Sequence, residues 1–135
     1  MANVDGAQRR ARPLSPHLSI YRPIVTMVMS IMHRMTGIMN IGGLVLVIAY
    51  LTAIAMGPEA FNTMSGLYGS WVGRVILVAF TWSMIHHMLG GLRHFLWDTG
   101  HGFGEVRYTL SQMTLVGSIL LTVIMWTLIV LVEVF

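Results

Sequence analysis

Three apolar runs dominate the chain, at roughly Ser30–Met56, Trp71–Trp97 and Thr109–Val134. Each is long enough for a helix of the ~20 residues needed to cross a bilayer. A soluble domain of this length carries about 25% charged residues; here they make up 10%, against 56% hydrophobic residues. Within hydrocarbon every backbone polar group has to be satisfied internally, so the runs are read as helices. The expected fold is an all-α membrane protein of three transmembrane helices. The stretch "GPEAFNTMSGLYGS" reads as the first loop, broken by Gly and Pro, and "DTGHGFGEV", with three glycines, as the second. No internal repeat or low-complexity segment divides the chain. Residues 1–135 read as one membrane-anchor unit, with 1–29 as a polar arm and helices at about 30–56, 71–97 and 109–134.

The arm, "MANVDGAQRRARPLSPHLSIYRP", contains three prolines and is not expected to form one helix. It lacks the early apolar core and small-residue cleavage site of a signal peptide. Lysine is absent, so all eight basic residues are arginines. They are too few and too scattered for a nucleic-acid surface, despite a pI of about 10, and read better as topology markers. Arg9, Arg10, Arg12, Arg22 and Arg34 lie at the start, and Arg93 and Arg107 flank the second loop; Arg74 alone lies on the opposite side. By the positive-inside rule the N-terminus and second loop face the cytoplasm (or a mitochondrial matrix), and the C-terminus faces the other side. Tyr68, Trp71, Trp97 and Tyr108 fall near the span ends, where interfacial aromatics sit.

With no cysteine in the chain, disulfides, cysteine-held zinc, iron–sulfur ligation and thioether-linked haem are excluded. Histidines then become the notable groups. Residues 87–94 read "HMLGGLRH", and ionisable groups inside a span require a partner or a function. At about 100° per residue, Ser30, His33, Arg34, Gly37 and Asn40 share a face of the first helix. Ser83, His87, Gly90, Gly91 and His94 share one of the second, and Ser111, Thr114, Ser118 and Thr122 one of the third. Helix–helix packing accounts for the third stripe. For the first two it is weaker, because packing does not require His33, Arg34, His87 and His94. Three helices are also few for enclosing so many polar groups, so a partner membrane subunit is expected.

His87 lies about 15 Å inside the cytoplasmic end of its helix, and His94 about 10 Å nearer the surface, at 1.5 Å per residue. Two axial ligands of one haem approach the iron from opposite faces, about 4 Å apart at imidazole–metal distances. One straight helix cannot offer both. His87 is therefore read as the axial ligand, with His94 at the depth of the propionates. His33 and Arg34 enter from the cytoplasmic side near the level of His94, which makes His33 a poor second ligand; that ligand is expected from another chain. Gly90 and Gly91 clear space for a porphyrin face. A histidine hydrogen-bonded between helices is the plainer alternative for His87, and on residues alone the two readings balance. His86 points about 100° away and reads as packing or interfacial, His101 as a solvated loop residue. His17 has no visible partner. Met84 and Met88 can ligate haem iron, but twelve methionines read better as core filler. Ser30 and Arg34, one turn apart, offer a hydroxyl and a fixed cation to a quinone carbonyl that becomes negative on reduction. Taken alone, a capping serine with a snorkelling arginine is the stronger reading of that pair.

"RPLSPHLSIYRP" followed by "SIMHRMTG" resembles the N-terminal signature of the succinate dehydrogenase cytochrome b subunits, the large membrane anchors of respiratory complex II. "HMLGGLRHFLWDTG" resembles the second signature of that family, H-x-x-x-G-x-R-H followed by an aromatic residue, Asp and Gly. The motifs come in the family's order, with no departure at a motif position, while the third span carries no signature. The resemblance implies a subunit of succinate:ubiquinone oxidoreductase, in the tricarboxylic acid cycle and aerobic electron transport, within a multi-subunit haem-binding helix bundle. It implies a flavoprotein, an iron–sulfur subunit and a second small anchor as partners, in a bacterial cytoplasmic membrane rather than a mitochondrial inner membrane. His87 matches the haem b axial ligand and so the iron-binding residue, the other ligand belonging to the small anchor. His33, Arg34, His94 and Gly91 match positions around the haem, and Ser30 and Arg34 the ubiquinone site. No catalytic residue is expected in this chain. The alternatives are a haem-free structural anchor of a related succinate dehydrogenase or fumarate reductase, and a small transporter or proton channel built on the histidines.

Overall fold

The computed structural model describes residues 21–134, with the side chains of 133 and 134 left aside. Pro13, Pro16, His17, Arg9, Arg10 and Arg12 lie outside the described residues. Four helices follow one another: α1 Val25–Met56, α2 Pro58–Gly69, α3 Trp71–Asp98 and α4 Val106–Val134. Three of them, α1, α3 and α4, are long and apolar enough to cross a membrane. Helix α1 begins at Val25 rather than Ser30.

The segment after α1 departs from the sequence expectation. Residues read there as a loop form α2, a helix of 12 residues. Its breakers lie at its ends. Gly57 takes a positive φ of 107° just outside it, and Pro58 occupies the first turn, where a missing N–H is harmless. The helix is pinned to α1 by the Tyr68 hydroxyl, which donates to the Leu46 carbonyl at 2.7 Å, and by stacking of Tyr68 on Tyr50. Ser70 then caps α3, its Oγ accepting from the Gly73 amide at 3.1 Å. The second loop follows its glycine pattern, with Gly100, Gly102 and Gly104 all in the left-handed region, where a side chain would be strained.

Helix α3 lies between α1 and α4 and packs on both. Among the described residues, only Met29 and Ala53 are fully buried apolar side chains. Thr36, Ser83, His86, Arg93, Ser111, Thr114, Ser118 and Thr122 are all buried, whereas Ile38, Ile41 and Leu44 stand outward. The bundle thus reverses the usual arrangement, as expected where hydrocarbon rather than water surrounds it and small or polar residues join helices.

Two antiparallel seams result. On the α1 side, the single Ser83 hydroxyl hydrogen is shared between the Thr36 carbonyl at 3.0 Å and Asn40 Oδ1 at 2.9 Å. Phe80 lies directly over Gly43, where an added Cβ would fall 1.8 Å from the ring. On the α4 side, His86 Nδ1 meets Ser118 Oγ at 3.1 Å and Arg93 donates to Ser111 Oγ at 3.3 Å. These two clasps are two turns apart on both helices. The Ser118 and Ser111 hydroxyl hydrogens go to Leu115 and Arg107 carbonyls of their own helix. Helix α4 therefore offers acceptors, and α3 supplies the donors. The stripe on α4 is a packing seam, as its sequence implied.

Overpacking a filled contact costs about 1–3 kcal/mol. Gly43→Ala should lower the thermal stability of the detergent-solubilised protein by that order, and Gly43→Ala/Phe80→Leu should recover part of the loss, as read by the melting of helical circular dichroism.

Candidate functional site

The α1–α3 seam continues toward the end of the bundle that carries the second loop, and there it holds three histidines. His87 is set by α1. Its Nδ1 lies 3.0 Å from the His33 carbonyl oxygen and 3.4 Å from Thr36 Oγ1. A carbonyl only accepts, so Nδ1 carries the hydrogen and Nε2 keeps its lone pair free for a metal or another donor. Thr36 is itself fixed, lying 2.9 Å and 3.0 Å from the carbonyl oxygens of His33 and Met32. Gly37 gives the ring its room: a Cβ there would stand 3.1 Å from His87 Cε1.

The His33 ring lies flat on that of His87, with centroids 4.0 Å apart and planes 4° from parallel. His94 sits on the other side of His33 at 5.2 Å, and the edge of Trp97 closes the row at 5.2 Å from His94. His33, expected from its depth to lie level with His94, has its ring against both His87 and His94. Two imidazoles side by side in parallel planes do not face each other across a metal, so His33 is not an opposed ligand to His87 in this arrangement. Its Nδ1 is buried without a hydrogen-bond partner.

The two glycines differ. Gly90 is buried, and a Cβ on it would fall 2.5 Å from His33 Nδ1, so this glycine makes room for His33 rather than for a porphyrin. A Cβ on Gly91 would meet nothing within 4 Å. Ser30 is half-buried and Arg34 exposed, with Arg34 Nε donating to the Ser30 backbone carbonyl at 3.4 Å. The pair therefore stands one turn apart on α1, beside the histidine row. His33, His87 and His94 are each half-buried, so the row is open on one flank. None of His33, Arg34, Arg93 and His94 is paired with a carboxylate among the described residues. Nor, among those residues, are three such side chains placed to hold a bare metal ion.

Other histidines and methionines fall elsewhere. His86 is buried on the α4 seam with its ring against Trp82, and His101 is exposed in the loop, beside Thr99. Met84 and Met88 are exposed on α3. A cavity of about 490 Å³ near the far end, lined in part by Tyr50, Tyr68, Arg74 and Trp126, touches none of the histidines. Thr36, Gly37 and Arg93 are the site neighbours that the sequence did not single out as site residues. The position of Thr36 three residues after His33, facing Ser83 of α3, is the signal that identifies it.

The chain matches the family model of the succinate dehydrogenase/fumarate reductase transmembrane subunit over residues 8–130. It is 40% identical to the succinate dehydrogenase cytochrome b556 subunit of Paracoccus denitrificans, over 92% of this chain and 94% of that one. The corresponding subunit of Rickettsia prowazekii is 36% identical, over 85% of this chain and 90% of its own. A mitochondrial succinate dehydrogenase cytochrome B subunit from Schizosaccharomyces pombe is also 36% identical, over 69% of this chain and 54% of its own length. Both signatures lie inside the matched range; "SIMHRMTG" falls on α1 and "HMLGGLRHFLWD" on α3, the two helices that build the histidine row. The chain belongs to the succinate dehydrogenase/fumarate reductase transmembrane subunit family.

Proposed function

We propose that this chain is the large membrane anchor of a succinate:ubiquinone oxidoreductase, that it holds haem b through His87 Nε2, and that Ser30 and Arg34 form part of its ubiquinone-reduction site. The observation that carries this reading is the bond from His87 Nδ1 to the His33 carbonyl. It orients the imidazole and selects the tautomer whose other nitrogen ligates iron, the usual arrangement of a metal-binding histidine. The chain names of the relatives, cytochrome b556 subunits, agree with it. When bound, haem b supplies a one-electron carrier within the membrane.

The remaining residues fit the periphery of such a group. His33, His94 and Arg34 supply polar groups, and Arg34 a positive charge, suited to propionates. The open face at Gly91 admits a flat macrocycle beside α3. The flank left open by the histidine row calls for a second membrane subunit, which would supply the other ligand and close the pocket. Ser30 donates its hydroxyl hydrogen to a quinone carbonyl, and Arg34, charged at any physiological pH, stabilises the negative charge that builds on that oxygen.

The arginine-bearing end of the bundle then faces the cytoplasm of a bacterium and receives the iron–sulfur subunit, with the flavoprotein beyond it. Succinate oxidation belongs to those partners, so the chain is a subunit of the enzyme and not an enzyme alone.

Three outcomes follow. His87→Ala should abolish the b-type band in a reduced-minus-oxidised spectrum of the purified complex, and absence of the band in wild type would instead mark a haem-free anchor. Ser30→Ala and Arg34→Leu should each slow quinone reduction about tenfold to a hundredfold, the scale of one charge-assisted hydrogen bond. Succinate oxidation with a soluble artificial acceptor should persist, and equal loss of both activities would indicate failed assembly. Gly90→Ala, by driving a methyl group into the His33 ring, should shift or weaken the band while leaving the complex assembled on a native gel.

A further inference from the structure

Arg93 is only 4% exposed although it lies on a membrane-spanning helix. One terminal nitrogen donates to Ser111 Oγ at 3.3 Å, and Nε is buried with no partner. Ser111 sends its own hydrogen to the Arg107 carbonyl at 2.8 Å, so it offers Arg93 a lone pair and no charge. No carboxylate accompanies the guanidinium among the described residues. Burying an uncompensated cation is unfavourable, and joining α3 to α4 does not require one: His86 and Ser118 make the equivalent clasp two turns away without a fixed charge.

The guanidinium lies over the Trp97 ring, with Cζ 5.0 Å from its centroid, a cation–π contact that strengthens when desolvated. Trp97 is held in turn by its Nε1–H, which donates to the Gly102 carbonyl at 3.1 Å. The same ring stands edge-on to His94, which borders His33, which stacks on His87. A permanent positive charge thus sits next to the histidine row, on the α4 side of α3, buried where water screens it little.

We propose that Arg93 is a positioning and potential-setting residue: through Trp97 it braces His94, and its uncompensated charge raises the reduction potential of the one-electron group held at His87. The inference rests on the haem reading above. One electron from the partner's iron–sulfur centres adds one negative charge at that group; no bond breaks, and Arg93, always protonated, exchanges no proton. A nearby cation favours the reduced form, so its removal lowers the potential.

The test is an equilibrium redox titration of the b-type band in the purified complex. Arg93→Gln should lower the equilibrium constant for one-electron reduction about tenfold, which is about 59 mV for a one-electron couple, and Arg93→Lys should restore most of it. Ser111→Asp, which neutralises the cation without deleting it, should lower the potential in the same direction, and it decides the matter if Arg93→Gln fails to assemble. An unchanged potential in Ser111→Asp, or in Arg93→Gln with its band intact, overturns the proposal. So does an equal fall in the Gln and Lys variants, or failure of all three to assemble, since either makes the residue purely structural. Absence of the band from the wild-type complex would overturn the haem reading itself.

Discussion

A hydroxyl, imidazole or guanidinium left unpaired in hydrocarbon costs several kcal/mol, and helix α3 carries such groups on two edges. Ser83 and His87 face one way, His86 and Arg93 the other. Neither edge can face lipid, so α3 has to run between two helices that satisfy it. Helix α1 supplies backbone carbonyls, the Asn40 amide and room at glycines; helix α4 supplies serine lone pairs. The antiparallel order and the register follow from these pairings, since the apolar side chains point outward and discriminate little between one register and the next.

The candidate site is the part of this arrangement that remains unfinished. On the α4 side the seam is closed off, with its serines and threonines buried. On the α1 side the pairing closes around Ser83 but opens toward the arginine-bearing end, leaving three half-buried histidines in a row. One is oriented by a carbonyl with a nitrogen to spare; another has a buried nitrogen with no partner. An incomplete polar pocket in a membrane protein is completed by something else, a bound group or a neighbouring chain. Membership of the succinate dehydrogenase/fumarate reductase transmembrane subunit family gives the neighbouring chain a natural place.

Much of this was legible in the residues. Charge depletion and run length gave the three spans, and helical periodicity gave the stripes, because both depend only on local spacing. Helix α2 was not legible: Gly57 and Pro58 look like loop breakers, but one ends α1 and the other begins α2, and its short polar sequence lacks the length signal of a span. Arg93 looked like a topology marker because arginine near a span end usually snorkels. Its burial follows from the position of Ser111 on α4, which no single-helix argument reveals. Likewise, Gly90 and Gly91 are alike in sequence, and only the rotation of α1 against α3 decides that one receives His33 while the other stays open.

The central claim is that the seam between α1 and α3 orients His87 toward a pocket shared with a neighbouring subunit. A structure of the assembled complex in lipid, at a resolution that shows side chains, tests it most directly. The account predicts His87 Nδ1 on the His33 carbonyl, Nε2 directed at a bound group between two membrane subunits, and Ser30 and Arg34 beside a quinone. An imidazole at position 87 turned toward lipid, or a first-helix serine and arginine remote from any ligand, would contradict it.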